Sequence, residues 1–330
     1  MKRIDFENHF YDKSTIEAMS RRISFPSYDP VSDYIHWNDK IDMPQGQLLK
    51  NLLEVGESRL KIMDELNIDT AILSTSQGVE ELESSESIGL CRQTNDAVYA
   101  LTQKYPGRYL GSAILPVKDI EAAICELERC VKELGFVCWH THSNYHGAGP
   151  YEEQFRPLFK KASELGIFVY LHPAFPESDS FSDFGFTFGG PGAGFTVDTM
   201  VSILKMVVSG LFDEIPDLKV VLGHLGEAIP FLLDRIDNRM NFLPNVKLKN
   251  REKPSYYFKH NIMVSTSGNM SQSAFRCTAE VLGIERIVFG SDYPFEKINE
   301  MVEFIDSLPI TDQERELIYS GNAVKLGLMK

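Results

Sequence analysis

Glu7 and His9 stand two residues apart at the end of a short run, Arg3-Ile4-Asp5-Phe6, that reads as a strand. Successive side chains on a strand point to opposite faces, so the two project the same way. A carboxylate beside an imidazole is half of a divalent-metal site, although such a pair taken alone is more often a feature of a solvated chain end. Three more metal-competent residues follow in comparable settings. His172 closes Ile167-Phe168-Val169-Tyr170-Leu171, His224 closes Lys219-Val220-Val221-Leu222-Gly223, and Asp292 follows Arg286-Ile287-Val288-Phe289-Gly290-Ser291. Each sits at the C-terminal end of an apolar run with a helical pattern after it. In a (β/α)8 barrel such strand ends converge on one mouth, where active sites are built.

The intervening elements agree with that architecture. Further strands are expected at Thr70–Ser74, Arg108–Leu115, Phe136–Trp139, Asn261–Ser265 and Ile287–Gly290. Helices alternate with them. After Asp119, the residues Ala123, Leu127, Cys130, Val131 and Leu134 recur at three- and four-residue steps, and Gly135 ends the pattern. Eight strands, most followed by a helix, are the parallel α/β signature. The expectation is one α/β domain over residues 1–330, a TIM barrel, with insertions at its C-terminal mouth at about 10–53 and 174–198. An open doubly wound sheet fits less well, because no G-x-G-x-x-G follows the first strand. The first insertion carries Tyr11, Phe25, Tyr28, Tyr34 and Trp37 among charges, which suits either a roof over the mouth or a face docked on another subunit.

The composition is globular, with 43% hydrophobic and 24% charged residues. A formal net charge of −14 argues against nucleic acid or an anionic membrane as partner, while leaving room for a small anion met by local cations or a metal. Cys91, Cys125, Cys130, Cys138 and Cys277 have no metal-pair spacing and read as small core residues in a reducing compartment. With no apolar leader and no run of transmembrane length, a cytoplasmic location is expected.

The chain resembles the amidohydrolase-related decarboxylases, the group that holds aminocarboxymuconate semialdehyde decarboxylase and the nonoxidative hydroxybenzoate decarboxylases. The stretches that carry the resemblance include Glu7-Asn8-His9, Leu171-His172-Pro173, Gly223-His224-Leu225-Gly226-Glu227, Arg235-Ile236-Asp237 and Gly290-Ser291-Asp292-Tyr293-Pro294. They run through nearly the whole chain in the family's order. The first motif resembles the Glu-x-His form of the γ-resorcylate and carboxyvanillate enzymes more than the His-x-His form. A carboxylate in place of an imidazole adds charge and a hard oxygen donor, which favours Mn²⁺ or Mg²⁺ over Zn²⁺.

The resemblance implies a metal set of Glu7, His9, His172 and Asp292 holding one divalent ion. It also implies decarboxylation of a hydroxylated aromatic acid, with Asp292 delivering a proton to the ring carbon. His224 would orient Asp292 or bond the substrate hydroxyl, with Glu227 behind it on adjacent turns of a helix beginning at Leu225. Arg235, three turns along that helix, would contact the substrate carboxylate or stay solvated. His140 and His142 form a second alternating pair, expected at the mouth as polar residues touching substrate, with a second metal as the alternative. Similar enzymes are dimers or tetramers, so a homo-oligomer is expected. The competing reading of function is hydration or hydrolysis of a small acid or lactone by metal-bound water.

Overall fold

In the computed structural model, which describes residues 1–76, 78–79, 82–176, 178–240, 242 and 247–328, eight parallel strands lie side by side in sequence order. They are β1 (Ile4–Phe10), β2 (Thr70–Thr75), β3 (Tyr109–Ala113), β4 (Cys138–His142), β5 (Phe168–His172), β6 (Val220–Leu222), β7 (Ile262–Ser265) and β8 (Ile287–Val288). The ring is completed between first and last. The Phe6 N–H donates to the Phe289 carbonyl (2.9 Å), the His9 N–H to Tyr293 (2.7 Å) and the Asp292 N–H to Glu7 (3.0 Å). The architecture is the expected barrel, drawn together between β1 and the segment at and after β8 by these bonds.

Several strand limits differ from the sequence pattern, and two of the differences bear on the site. β8 is shorter than Ile287–Gly290, because the Phe289 N–H turns to Ile318 (2.9 Å) and the Gly290 N–H to Thr266 Oγ1 (3.1 Å). β4 runs on through the histidine pair, with His140 facing Tyr170 and His142 facing His172 in register.

β1 breaks strict alternation, and the site depends on it. Asp5 pairs with Ala71 and Asn8 with Leu73, so Phe6 and Glu7 together oppose a single residue of β2. This bulge lets Ile4 and Phe6 face the barrel interior in one phase and Glu7 and His9 in the other. Below the bulge, Ile4 and Phe6 pack with Ile72, Phe168, Val221, Met263 and Val288 as a barrel floor. Above it the interior turns polar.

The outer layer follows the amphipathic pattern. Helix Ile120–Lys132 is capped by Asp119, which accepts from the Ala122 N–H (3.0 Å), and it buries Ala123, Leu127 and Cys130 against the strands. Full burial of a side chain like Leu127 contributes about 2 kcal/mol. Gly135 follows at φ +70°, a left-handed conformation that glycine adopts without strain, and turns the chain toward β4. Cys91, Cys130 and Cys138 are core residues as expected, whereas Cys125 is exposed and Cys277 half-buried, because they fall on outward helix positions.

Residues 10–53 fold into helix Lys13–Ser20, a three-stranded antiparallel sheet (Ser27–Asp29, Tyr34–His36, Asp42–Pro44) and helix Gln47–Leu53. Tyr11, Met19, Ile35, Trp37, Ile41 and Leu52 form a small core with Phe175, so the two mouth segments pack together. Residue 177 of the second segment lies outside the described residues. No helix among the described residues is long and apolar enough to cross a membrane.

Candidate active site

The upper end of β1 is held from behind. The carboxylate of Asp5 accepts from the Ser291 N–H (2.8 Å) and Oγ (2.6 Å), from Asn8 Nδ2 (2.9 Å) and from the Glu7 N–H (3.1 Å). Burial still pushes this carboxyl up to about 6, because four donors only partly replace water. Arg59, itself buried, donates to Asn8 Oδ1 (2.8 Å) and to the carbonyls of His9 (2.6 Å) and Asn51 (2.6 Å). Burial among these uncharged acceptors draws the guanidinium down to about 10. Asp5, Asn8 and Arg59 thus tie β1 to the turn after β8 and to the roof helix.

On the other face of β1, one ligand atom from each of Glu7, His9, His172 and Asp292 lies within 4.8 Å of the rest, all four residues being buried. His9 Nε2 is 3.5 Å from Glu7 Oε1 and 3.2 Å from Asp292 Oδ1, and His172 Nε2 is 3.6 Å from Glu7 Oε1. Glu7 Oε1, Asp292 Oδ1 and both ring nitrogens of His9 lack a hydrogen-bond partner among the described residues. Each buried polar atom left so costs about 1–3 kcal/mol. Lone pairs converging on one gap, from two carboxylates and two imidazoles, fit a divalent cation. His172 Nδ1 donates to the Pro173 carbonyl (2.9 Å), which fixes the tautomer and leaves Nε2 as a donor atom for a metal.

Burial alone would lower the His9 pKa, but Asp292 and Glu7 outweigh it and hold it at about 9. Burial likewise raises Glu7, and His9, His224 and Ser267 outweigh it to hold the carboxyl near 2. His172 is pushed well below 6.5 by burial and by the surrounding imidazoles.

His224 stands on the cavity side of Asp292, with Nε2 3.9 Å from Asp292 Oδ2 and Nδ1 2.8 Å from Glu227 Oε1. Burial lowers its pKa, but the charges of Glu227, Asp292 and Glu7 carry it well above 6.5. The backbone here differs from the expected helix start. His224, Leu225 and Glu227 all have φ near +55°, and the helix begins only at Ile229. Asp292 shares that conformation (φ 58°), so four of the seven described non-glycine residues with positive φ are in or beside this site. Each costs roughly 1–3 kcal/mol and persists only where the surroundings impose it. Gly268 makes room: a Cβ there would sit 2.6 Å from His224 Cδ2.

These groups form one end of a cavity of about 490 Å³. Tyr11, Trp37, Met43 and Leu48 of the first mouth segment and Phe175, Phe186 and Phe195 of the second wall the rest. His172, His224, Glu227 and Asp292 line it as the sequence led one to expect; Glu7 and His9, fully buried, meet it only through His172 and Asp292, and His140 and Arg235 are not in its wall. His140 is buried one pleat below His142, its ring stacked on Tyr170 (5.6 Å between centroids, 17°), because β4 extends farther than its apolar run. Neither it nor His142 belongs to a group of ligands among the described residues. Arg235 is exposed and away from the cavity. Its helix buries Ile229, Pro230, Leu233 and Asp237, which puts residue 235 on the opposite side. Among the described residues the cavity wall carries no Lys or Arg.

Comparison with known proteins agrees with this geometry. The amidohydrolase family model matches residues 54–326. The chain belongs to the amidohydrolase family. It is 38% identical over 298 residues to γ-resorcylate decarboxylase of Rhodococcus jostii (strain RHA1), covering 85% of this chain and 89% of that one. Among solved structures it is similar to a dihydroxybenzoic acid decarboxylase from Polaromonas sp. JS666 with bound manganese and the inhibitor 2-nitroresorcinol. The TM-score is 0.84 and the identity 30%, over 98% of this chain and 96% of that one. The 5-carboxyvanillate decarboxylase of Sphingomonas paucimobilis superposes with a TM-score of 0.89 at 28% identity, over 100% and 99% of the two chains. Within the superfamily this amidohydrolase is a carboxy-lyase.

Proposed function

We propose that the chain catalyses metal-dependent, nonoxidative decarboxylation of an aromatic acid bearing a hydroxyl ortho to its carboxylate. The observation that carries the reading is the buried Glu7–His9–His172–Asp292 cluster at the end of an aromatic-walled cavity, with His224 beside Asp292. The manganese in the Polaromonas structure supports Mn²⁺ as the ion.

Glu7, His9, His172 and Asp292 would hold a divalent ion, which would supply positive charge for a carboxylate and its neighbouring phenolate in a wall that carries no Lys or Arg among the described residues. Asp292 Oδ1 faces the other ligands, and Oδ2 faces His224. A proton on Oδ2 is placed for delivery to the ring carbon that bears the carboxylate. That carbon bonds the proton with a ring electron pair, and aromaticity is lost. The bond to the carboxylate then breaks, its electron pair returns to the ring, and CO₂ leaves. His224, fixed by Glu227, stands ready to restore the proton to Asp292. Tyr11 and Phe175 keep bulk water from the ring during the exchange, and Trp37 offers a flat face for the ring to lie against.

The test is turnover of a panel of hydroxybenzoates in D₂O with trapped CO₂. Release of CO₂ with one deuterium at the vacated ring carbon is expected. If no hydroxybenzoate releases CO₂ and an enol acid or lactone is hydrated or hydrolysed instead, the reading fails.

A further inference from the structure

The two oxygens of Glu7 meet different surroundings. Oε1 points at His9 and His172 and has no hydrogen-bond partner among the described residues. Oε2 accepts from Tyr170 Oη and from Ser265 Oγ (3.3 Å). The three groups continue into a buried hydroxyl chain: Tyr170 Oη is 2.8 Å from Ser265 Oγ, which is 2.7 Å from Ser267 Oγ, and Ser267 accepts from the His224 N–H (3.2 Å). Tyr170 is 1% exposed, and its ring is backed by His140. These residues come from β5, β7 and the turn after β7, so the carboxylate is gripped from two separate strands.

We propose that Tyr170, assisted by Ser265 and Ser267, is a positioning residue that keeps Glu7 a one-oxygen ligand. The inference rests on the metal reading above. An ion such as Mn²⁺ prefers six positions. One atom each from Glu7, His9, His172 and Asp292 fills four and leaves two, the number that a carboxylate oxygen and an ortho phenolate oxygen need together. A Glu7 free to rotate would close on the ion through both oxygens and take one of those two. Tyr170 and Ser265 occupy Oε2 and prevent it, and the same chain anchors the backbone of His224. His140 then serves as backing for the Tyr170 ring.

The experiment loads the full-length protein with Mn²⁺ and counts exchangeable coordinated waters from the broadening of Mn²⁺ electron paramagnetic resonance lines in ¹⁷O-labelled water. The parent should hold two and Tyr170→Phe one. Affinity for 2-hydroxybenzoate, which binds through two oxygens, should fall about tenfold or more in the variant, while benzoate binds within about twofold of the parent. Ser265→Ala, a smaller excision, should shift both readouts the same way and serves if Tyr170→Phe does not fold. Tyr319→Phe removes a buried phenol hydroxyl elsewhere, at Asp306 (2.9 Å), and should change neither. Equal water counts in parent and both site variants, or an equal change in Tyr319→Phe, overturn the positioning role alone. A parent that binds no Mn²⁺ overturns the proposed function with it.

Discussion

The backbone N–H of Asp292 donates to the carbonyl of Glu7 at 3.0 Å, joining the first and last members of the ligand cluster through the main chain. The hydrogen bonds that close the barrel are therefore the ones that set the distance between its two carboxylates. Asp5 reinforces the same junction by accepting from the backbone and hydroxyl of Ser291. The geometry of the candidate site and the closure of the fold rest on the same hydrogen bonds, so the chemistry of a side chain can be changed without moving its backbone.

Asp292→Asn exploits that separation. Asparagine tolerates positive φ, keeps the Glu7 hydrogen bond and offers an oxygen to the ion, but it cannot deliver a carboxyl proton. Turnover should fall on the order of 10²–10⁴-fold or below detection. Circular dichroism and melting should be nearly unchanged. The checks are CO₂ release and metal content on the same preparation; retained turnover would remove Asp292 from the proton-donor role.

Metal binding should depend steeply on pH. With His9 at about 9 in the ion-free protein, an incoming cation must displace its proton. The apparent Mn²⁺ dissociation constant should rise about tenfold for each pH unit below 9 for one proton released. For stability the sign follows from a raised histidine: the ion-free protein holds this contribution fully below 6.5 and loses it as pH rises through 9. Saturation with Mn²⁺ should abolish that loss. Calorimetric titration at several pH values, in buffers of different ionisation enthalpy, measures the released proton directly.

All four members of the candidate ligand cluster are legible in the sequence because their signals are local. Glu7 and His9 share a strand face, and His172 and Asp292 follow apolar runs. What escaped depends on registers and faces that only packing decides. Nothing in Ile4 to His9 announces the bulge that puts Phe6 and Glu7 on the same side. His140 resembles His9 in spacing but lies one pleat deeper. Arg235 is a plausible carboxylate partner by type, yet its helix starts at Ile229 after four residues of positive φ, and the phase turns it outward. Tyr170 hid inside an apolar strand, where an aromatic reads as core. Its hydroxyl matters only because Glu7 and Ser265 arrive from other strands.

Arg59→Met should be costly although residue 59 is not itself in the cavity wall. Methionine keeps the bulk of the stem but strands three acceptors, Asn8 Oδ1 and the carbonyls of His9 and Asn51. Hydrogen bonds from a charged donor contribute roughly 1.5–3 kcal/mol each, and buried acceptors left unpaired add to the loss. Urea unfolding should show a decrease of about 3–5 kcal/mol. A change below about 1 kcal/mol would mean that water replaces the guanidinium.

Trp37→Leu tests whether the roof contributes to binding or to the chemical step. Trp37 lines the cavity, is 5% exposed, and packs its ring 5.5 Å from that of Phe175. Leucine preserves an apolar contact in the roof core but removes a flat face against which an aromatic acid can lie. An interaction made equally with bound substrate and transition state changes KM and leaves kcat alone. Aromatic contacts of this kind add about 0.5–1.5 kcal/mol beyond buried area. Together with the lost area, KM for the preferred hydroxybenzoate should therefore rise about tenfold, with kcat within about threefold of the parent. Steady-state kinetics on the Mn²⁺-loaded protein separates the two terms. An equal fall in kcat and kcat/KM would instead place the contribution of Trp37 in the transition state, as expected if its main effect were to exclude water from the ring carbon being protonated.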